Sequence, residues 1–192
     1  MVKIVLIRPG STEFDEEGRI QGTLDVPLSE QGRREIVEAV DALRGQGIQA
    51  IYCSPCESAE ESARVIAQAL QVKMKALENL QNLDQGLWQG MLIDDVRTKQ
   101  PKVFRQWQDR PENVCPPGGE MIDDVRQRVL QTITKLAKKH KDGVVGLVVP
   151  EPLANVIGCL IRDESLRDLW RTGIGGAWES VSFTPGVPTA SP

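Results

Sequence analysis

Three short apolar runs constrain this chain more than any other feature: Val2–Ile7, Ala50–Cys53 and Val144–Val149. They are too short for stable helices and lack the alternation of a strand with one face in water, so they read as strands of a buried parallel sheet. Between them lie helical stretches. Ser29 is placed as the N-cap of a helix to about Arg44, with Ile36, Val37, Val40 and Leu43 on one face and Gly45 and Gly47 behind it. Ser54-Pro55-Cys56-Glu57 has the form of a capping box, with Pro55 at the first helical position, opening a helix to about Leu70. Ile122, Val125, Val129, Ile133 and Leu136 form one stripe of a long helix from about Glu120 to His140. A further helix carries Leu153, Val156, Ile157, Leu160 and Ile161, and Trp178–Phe183 is a last strand. The segment from Arg8 to Leu28 reads as loop. The stretch from Val72 to Arg110 is mixed, with short helices after Gly90 and after Pro101.

Strands alternating with helices predict a three-layer α/β/α sandwich with a mostly parallel central sheet and right-handed crossovers. At 192 residues the expectation is one domain over 1–184, followed by an irregular Pro/Gly/Ser-rich tail over 185–192. Functional sites of such sheets gather at the carboxyl ends of the strands. That places Arg8-Pro9-Gly10, Cys53-Ser54-Pro55 and Pro150-Glu151-Pro152 around one crevice.

The net charge of -4 offers no basic footprint for nucleic acid or an anionic membrane. No apolar run approaches the roughly 20 residues of a membrane-spanning helix. The chain enters its first strand at Val2 without a secretory leader pattern, and its four cysteines do not suggest a disulfide scaffold, so a cytoplasmic protein is expected. The cysteines and the one histidine lack paired ligand spacing, so neither a metal nor another cofactor is expected.

The stretch LIRPGSTEFDEEGRIQG, from Leu6 to Gly22, resembles the signature of the histidine phosphatase (phosphoglycerate mutase-like) superfamily. The resemblance continues in order through Asp25–Gly32, Ser54-Pro55 with Ala59, Gly86/Trp88/Gly90, Pro117-Gly118-Gly119-Glu120 and Val148-Val149. It implies a phosphatase or mutase fold in which a first strand ends in Arg-His-Gly, and the histidine attacks phosphorus. The departures fall on that chemistry. The nucleophile's place is held by Pro9, whose ring offers no atom that can attack or take a proton. The second histidine's place is Glu151, the second phosphate-binding arginine's is Ser58, and the usual acid before the G-x-W-x-G element is Asn82, with Asp84 two residues on. The first motif's asparagine is Asp15, and Arg8 alone survives of the charged catalytic set.

The resulting expectation is a pseudoenzyme with no catalytic residues, binding an unknown small molecule or a protein partner. Arg8, Gly10, Asp15, Gln21, Ser58, Asn82 and Glu151 line the remodelled cleft in this reading, and a homodimer is compatible with the sequence. Glu151 has three readings: a capping acid at a helix N-terminus, a general acid or base, or the built-in partner of Arg8. At ~4 Å and an effective dielectric near 20, such a pair is worth about 4 kcal/mol before desolvation, and it would repel a phosphate dianion. Two alternatives stand beside this reading. One is a weak or altered phosphomonoesterase using Asp15, Asp84 or Glu151. The other is a thiol–disulfide protein using Cys53 and Cys56, which otherwise read as two buried small residues. His140, in a run of lysines before the third strand, is read as a solvated cation at a helix C-terminus on the edge of the sheet away from the cleft. Lys138-Lys139 is read as a solvated helix face.

Overall fold

A computed structural model describes residues 1–170 and 173–186. Five strands form one sheet: β1 (Val2–Ile7), β2 (Ala50–Cys53), β3 (Lys73–Ala76), β4 (Val144–Val148) and β5 (Trp178–Phe183), in the order β3-β2-β4-β1-β5. All neighbours are parallel except β5, which runs antiparallel to β1 with Leu6 opposite Glu179. The α/β/α sandwich expected from the sequence is the fold observed. The expected irregular tail falls largely outside the described residues.

Successive side chains of a strand point to opposite faces, and the strands build two cores by this rule. Ile4 and Leu6 of β1 and Tyr52 of β2 join the larger core. Its helices are α6 (Ile122–Lys139) and α7 (Leu153–Arg162), with α4 (Ile93–Lys99) and α5 (Pro101–Asp109) closing one end. Val5, Ile7, Ile51 and Cys53 face the smaller core under α2 (Glu30–Arg44) and α3 (Glu57–Leu70). Among the described residues no helix is long and apolar enough to cross a membrane.

The connections locate the crevice. From β1 the chain passes through α2, on one face, to reach β2; from β4 it passes through α7, on the other face, to reach β5. Adjacent strands whose connections leave on opposite sides open a crevice at their carboxyl ends. Arg8 follows β1 and Glu151 follows β4 by three residues, so both stand at its mouth.

Four local expectations need correction. The stretch after β1 contains a short helix, α1 (Glu13–Glu17), opened by a capping box in which Thr12 Oγ1 accepts from the Asp15 N–H and Asp15 Oδ2 accepts from the Thr12 N–H, and closed by Gly18 at φ 67°. The box expected at Ser54–Glu57 does not form. Ser54 is fully buried and donates to the Leu80 carbonyl at 2.6 Å, while Asp25 Oδ1 accepts from the Glu57 N–H at 2.6 Å. The edge strand β3 arises from a stretch read only as mixed. His140 is not a freely solvated cation: its Nε2 lies 2.8 Å from the Tyr52 hydroxyl, and burial followed by the neighbouring Lys139 charge holds its pKa below the usual histidine range.

Candidate functional site

The crevice is built on close backbone packing. Gly10 follows Pro9 in the turn out of β1, and a Cβ at Gly10 would sit 2.2 Å from the Gly32 carbonyl oxygen. Reciprocally, a Cβ at Gly32 would sit 2.0 Å from the Ser11 carbonyl oxygen. Only glycine at both positions lets this turn lie against the start of α2.

The backbone donors of the turn are all committed within the chain. Ser62 Oγ accepts from the Gly10 N–H at 3.1 Å, Glu35 Oε2 from the Ser11 N–H at 2.9 Å, and Asp15 Oδ2 from the Thr12 N–H at 2.8 Å. The Ser11 and Thr12 hydroxyls donate to the same two carboxylates, each at 2.8 Å. The N–H groups of this turn are thus satisfied by two side-chain carboxylates and a hydroxyl.

Arg8 and Glu151 meet across the mouth of the crevice. Arg8 Nε donates to Glu151 Oε1 at 2.7 Å, with side-chain exposures of 20% and 15%. The other oxygen, Glu151 Oε2, accepts from the Asn155 N–H in the first turn of α7 at 3.0 Å. Two readings of Glu151 therefore hold at once: it satisfies a helix-terminal donor and it partners Arg8. A second carboxylate, Glu179 on β5, approaches Arg8 at 3.6 Å and accepts from Arg162 at 2.6 Å.

The other expected site residues separate into two groups. Pro9, Gly10, Asp15, Ser58 and Gln21 line a recess of about 30 Å3 together with Arg8 and Glu151, space for no more than a few waters. Asp15, Gln21 and Glu151 also border an adjoining recess of about 40 Å3 that reaches Arg19 and Trp170. Asn82 lines neither. It is buried, donates to the Gly22 and Glu151 carbonyls at 3.0 and 2.9 Å, and accepts from the Leu83 and Leu153 N–H groups at 2.9 and 3.3 Å. It pins three loops beneath the crevice. Asp84 also lies outside both recesses; it accepts from the Gly86 N–H at 2.8 Å.

Among the described residues, the first recess holds one cation, Arg8, against the anions Asp15 and Glu151. These described charges on balance disfavour a phosphate dianion. Cys53 is fully buried at the end of β2, and burial pushes its thiol up to about 12; burial raises Cys56 as well. Neither has the lowered thiol pKa of a reactive dithiol, contrary to that alternative. No group of three or more His, Cys, Asp or Glu among the described residues is arranged to hold a metal ion.

Glu35 and Glu179 are the site residues that sequence reasoning missed. Glu35 sits among other charges on α2, and only the Gly10–Gly32 contact brings it to Ser11. Glu179 reaches Arg8 only because β5 pairs with β1.

Residues 4–189 match the model of the histidine phosphatase superfamily (branch 1). The chain is 31% identical over 181 residues to phosphoserine phosphatase 1 of Hydrogenobacter thermophilus, covering 94% of this chain and 86% of that protein. Among solved structures, YhfR of Bacillus stearothermophilus superposes with a TM-score of 0.85 at 26% identity, over 97% of this chain and 93% of that one. A mycobacterial glucosyl-3-phosphoglycerate phosphatase, solved in complex with VO3, superposes with a TM-score of 0.84 at 23% identity, over 94% and 90% of the two chains, a likeness of fold.

Proposed function

This chain belongs to the histidine phosphatase superfamily, and from that membership we propose that it is a non-catalytic member acting by binding a small molecule or a protein at or beside its remodelled crevice. The observation that carries the proposal is the 2.7 Å contact between Arg8 and Glu151. On the family resemblance, Arg8 is the surviving phosphate-binding residue. Its Nε proton is committed to a carboxylate of its own chain, and a second carboxylate stands beside its guanidinium. A phosphate ester entering here would have to displace Glu151 and meet its charge. Pro9 supplies no nucleophile at the turn, and the one histidine of the chain, His140, is bonded to Tyr52 away from the crevice. Catalytic groups that act as a unit fail together, so the loss of turnover is expected to be severe.

The rival, a phosphomonoesterase using a carboxylate, is disfavoured by the same geometry. Both oxygens of Glu151 are occupied, and Asp15 Oδ2 takes two donors of its own capping box. The names of the relatives and of the phosphoglycerate mutase-like superfamily supply the test substrates. The protein is incubated with phosphoserine, 3-phosphoglycerate and glucosyl-3-phosphoglycerate, and released phosphate and acid-labile protein phosphate are both measured. Neither is expected above background. Steady turnover that disappears in Glu151→Gln or Asp15→Asn would establish the carboxylate enzyme instead.

A further inference from the structure

Away from the crevice, the flank of the sheet carries a groove of about 300 Å3 between β3 and α6. It shares no residue with the two recesses. Its geometry follows from the register. Tyr52 lies opposite Lys75 in the parallel β2–β3 pair, while Met74 and Ala76 pack into the smaller core. By strand alternation Lys75 therefore projects with Tyr52 toward α6. From α6, Thr132, Lys135, Leu136 and Lys139 follow at the spacing of one helix face and form the opposite wall.

The groove is apolar below and cationic above. Leu136 and Tyr52 are each at least 95% buried, with the half-buried Leu77 beside them. Lys75, Lys135 and Lys139 stand exposed around them, against one acid, Glu78. Among the described residues none of these three lysines has an ion-pair partner. This local positive excess lies on a chain whose net charge is -4. Lys139 is also fixed rather than free: its Nζ donates to the Tyr52 hydroxyl at 3.1 Å, and that hydroxyl lies 2.8 Å from His140 Nε2. With Lys139 as donor, the Tyr52 hydroxyl is free to donate to His140 Nε2, whose pKa burial lowers. Lys139 is exposed, as expected of a solvated helix face, and it also hydrogen-bonds at the groove wall.

We propose that this groove is a binding site for an organic anion: a ring-sized apolar frame bearing carboxylate, sulfonate or phosphate groups. The volume lies at the lower end of small-molecule sites. The frame would lie on the half-buried Leu77 and the alkyl stems of the lining lysines, above the buried Leu136 and Tyr52, while its anionic groups meet Lys75 and Lys135. The unpaired lysines supply charge-assisted donors without first giving up a partner, unlike Arg8 in the crevice.

The test compares two dyes of similar frame, anilinonaphthalene sulfonate and uncharged N-phenylnaphthylamine, by fluorescence titration of the folded protein. The sulfonate is expected to bind saturably at one site, more tightly than the neutral dye, and less tightly as salt is raised. Lys75→Gln/Lys135→Gln is expected to weaken sulfonate binding about tenfold or more, the effect of losing one charge-assisted contact. Lys138→Gln, a neighbouring exposed lysine outside the groove, is expected to leave it unchanged. Thermal unfolding of each variant confirms that the fold is retained; both lysines in the double variant are exposed. Absence of saturable sulfonate binding, equal affinity for the two dyes, or an equal loss in Lys138→Gln would each overturn the proposal.

Discussion

The side-chain amide of Asn82 donates to the main-chain carbonyl of Glu151 at 2.9 Å, so the residue that meets Arg8 at the crevice mouth is held from behind by one buried amide. The same amide bonds Gly22, Leu83 and Leu153, which uses both its donors and its acceptor oxygen. Removing it strands buried backbone groups in three segments. Asn82→Ala is expected to cost about 2–4 kcal/mol of unfolding free energy, measured by denaturant titration. A change below about 0.5 kcal/mol would show that the surrounding loops re-pair without it.

Glu151→Gln keeps the shape of the Arg8 partner and removes its charge. It is expected to lower stability by about 1–2 kcal/mol, since the pair is largely but not wholly shielded. It should also increase binding of inorganic phosphate or sulfate, read as a larger rise in Tm on adding the anion than the unchanged protein shows. An identical anion response in both proteins would mean that Glu151 does not exclude phosphate.

Pro9→His returns a nucleophile to the turn after β1 but leaves Ser58 and Glu151 where the family resemblance places an arginine and a histidine. Electrostatic stabilisation of the transferring group is usually the largest catalytic contribution, and most of it would still be missing. The single variant is expected to show no phosphatase turnover against phosphoserine. Turnover at family-like rates would show that those two positions are dispensable.

His140 gives the fold a pH dependence whose sign is set by its lowered pKa. Burial, then the Lys139 charge, disfavours its protonated form in the folded protein, whereas an unfolded histidine takes its proton near 6.5. The unfolded state therefore binds more protons as the solution is acidified. The contribution of neutral His140 is present above about pH 6.5 and is lost as pH falls through the folded pKa. Thermal midpoints taken across this range should fall on the acid side for the native sequence and fall less for His140→Asn. Parallel curves would exclude His140 as the source.

The sheet was legible where periodicity and burial agree. β1 and β4 are nearly continuous apolar runs, and the Ile122–Leu136 stripe marks α6 because one helix face meets one sheet face. β3 was hidden because it is an edge strand reading Lys-Met-Lys-Ala, with two of its four side chains exposed. The Arg8–Glu151 meeting followed from the rule about strand ends. Glu179 and Glu35 did not, since their contacts depend on strand order and on the Gly10–Gly32 approach, and neither leaves a local sequence signal. The Ser54 box failed because the Ser54 hydroxyl is drawn to a distant carbonyl, which no local pattern encodes.

β1 precedes the other four strands of its sheet in the chain, yet both of its neighbours come from far along it: β4 begins at Val144 and β5 at Trp178. During synthesis β1 therefore has no native edge to pair with until well over a hundred further residues have been made. The contacts that seat it are among the longest in sequence separation that the chain can form, which slows folding and prolongs exposure of an apolar strand. The nascent polypeptide must keep Val2–Ile7 from other unpaired edges throughout that interval, a demand that falls on chaperones or on transient local structure.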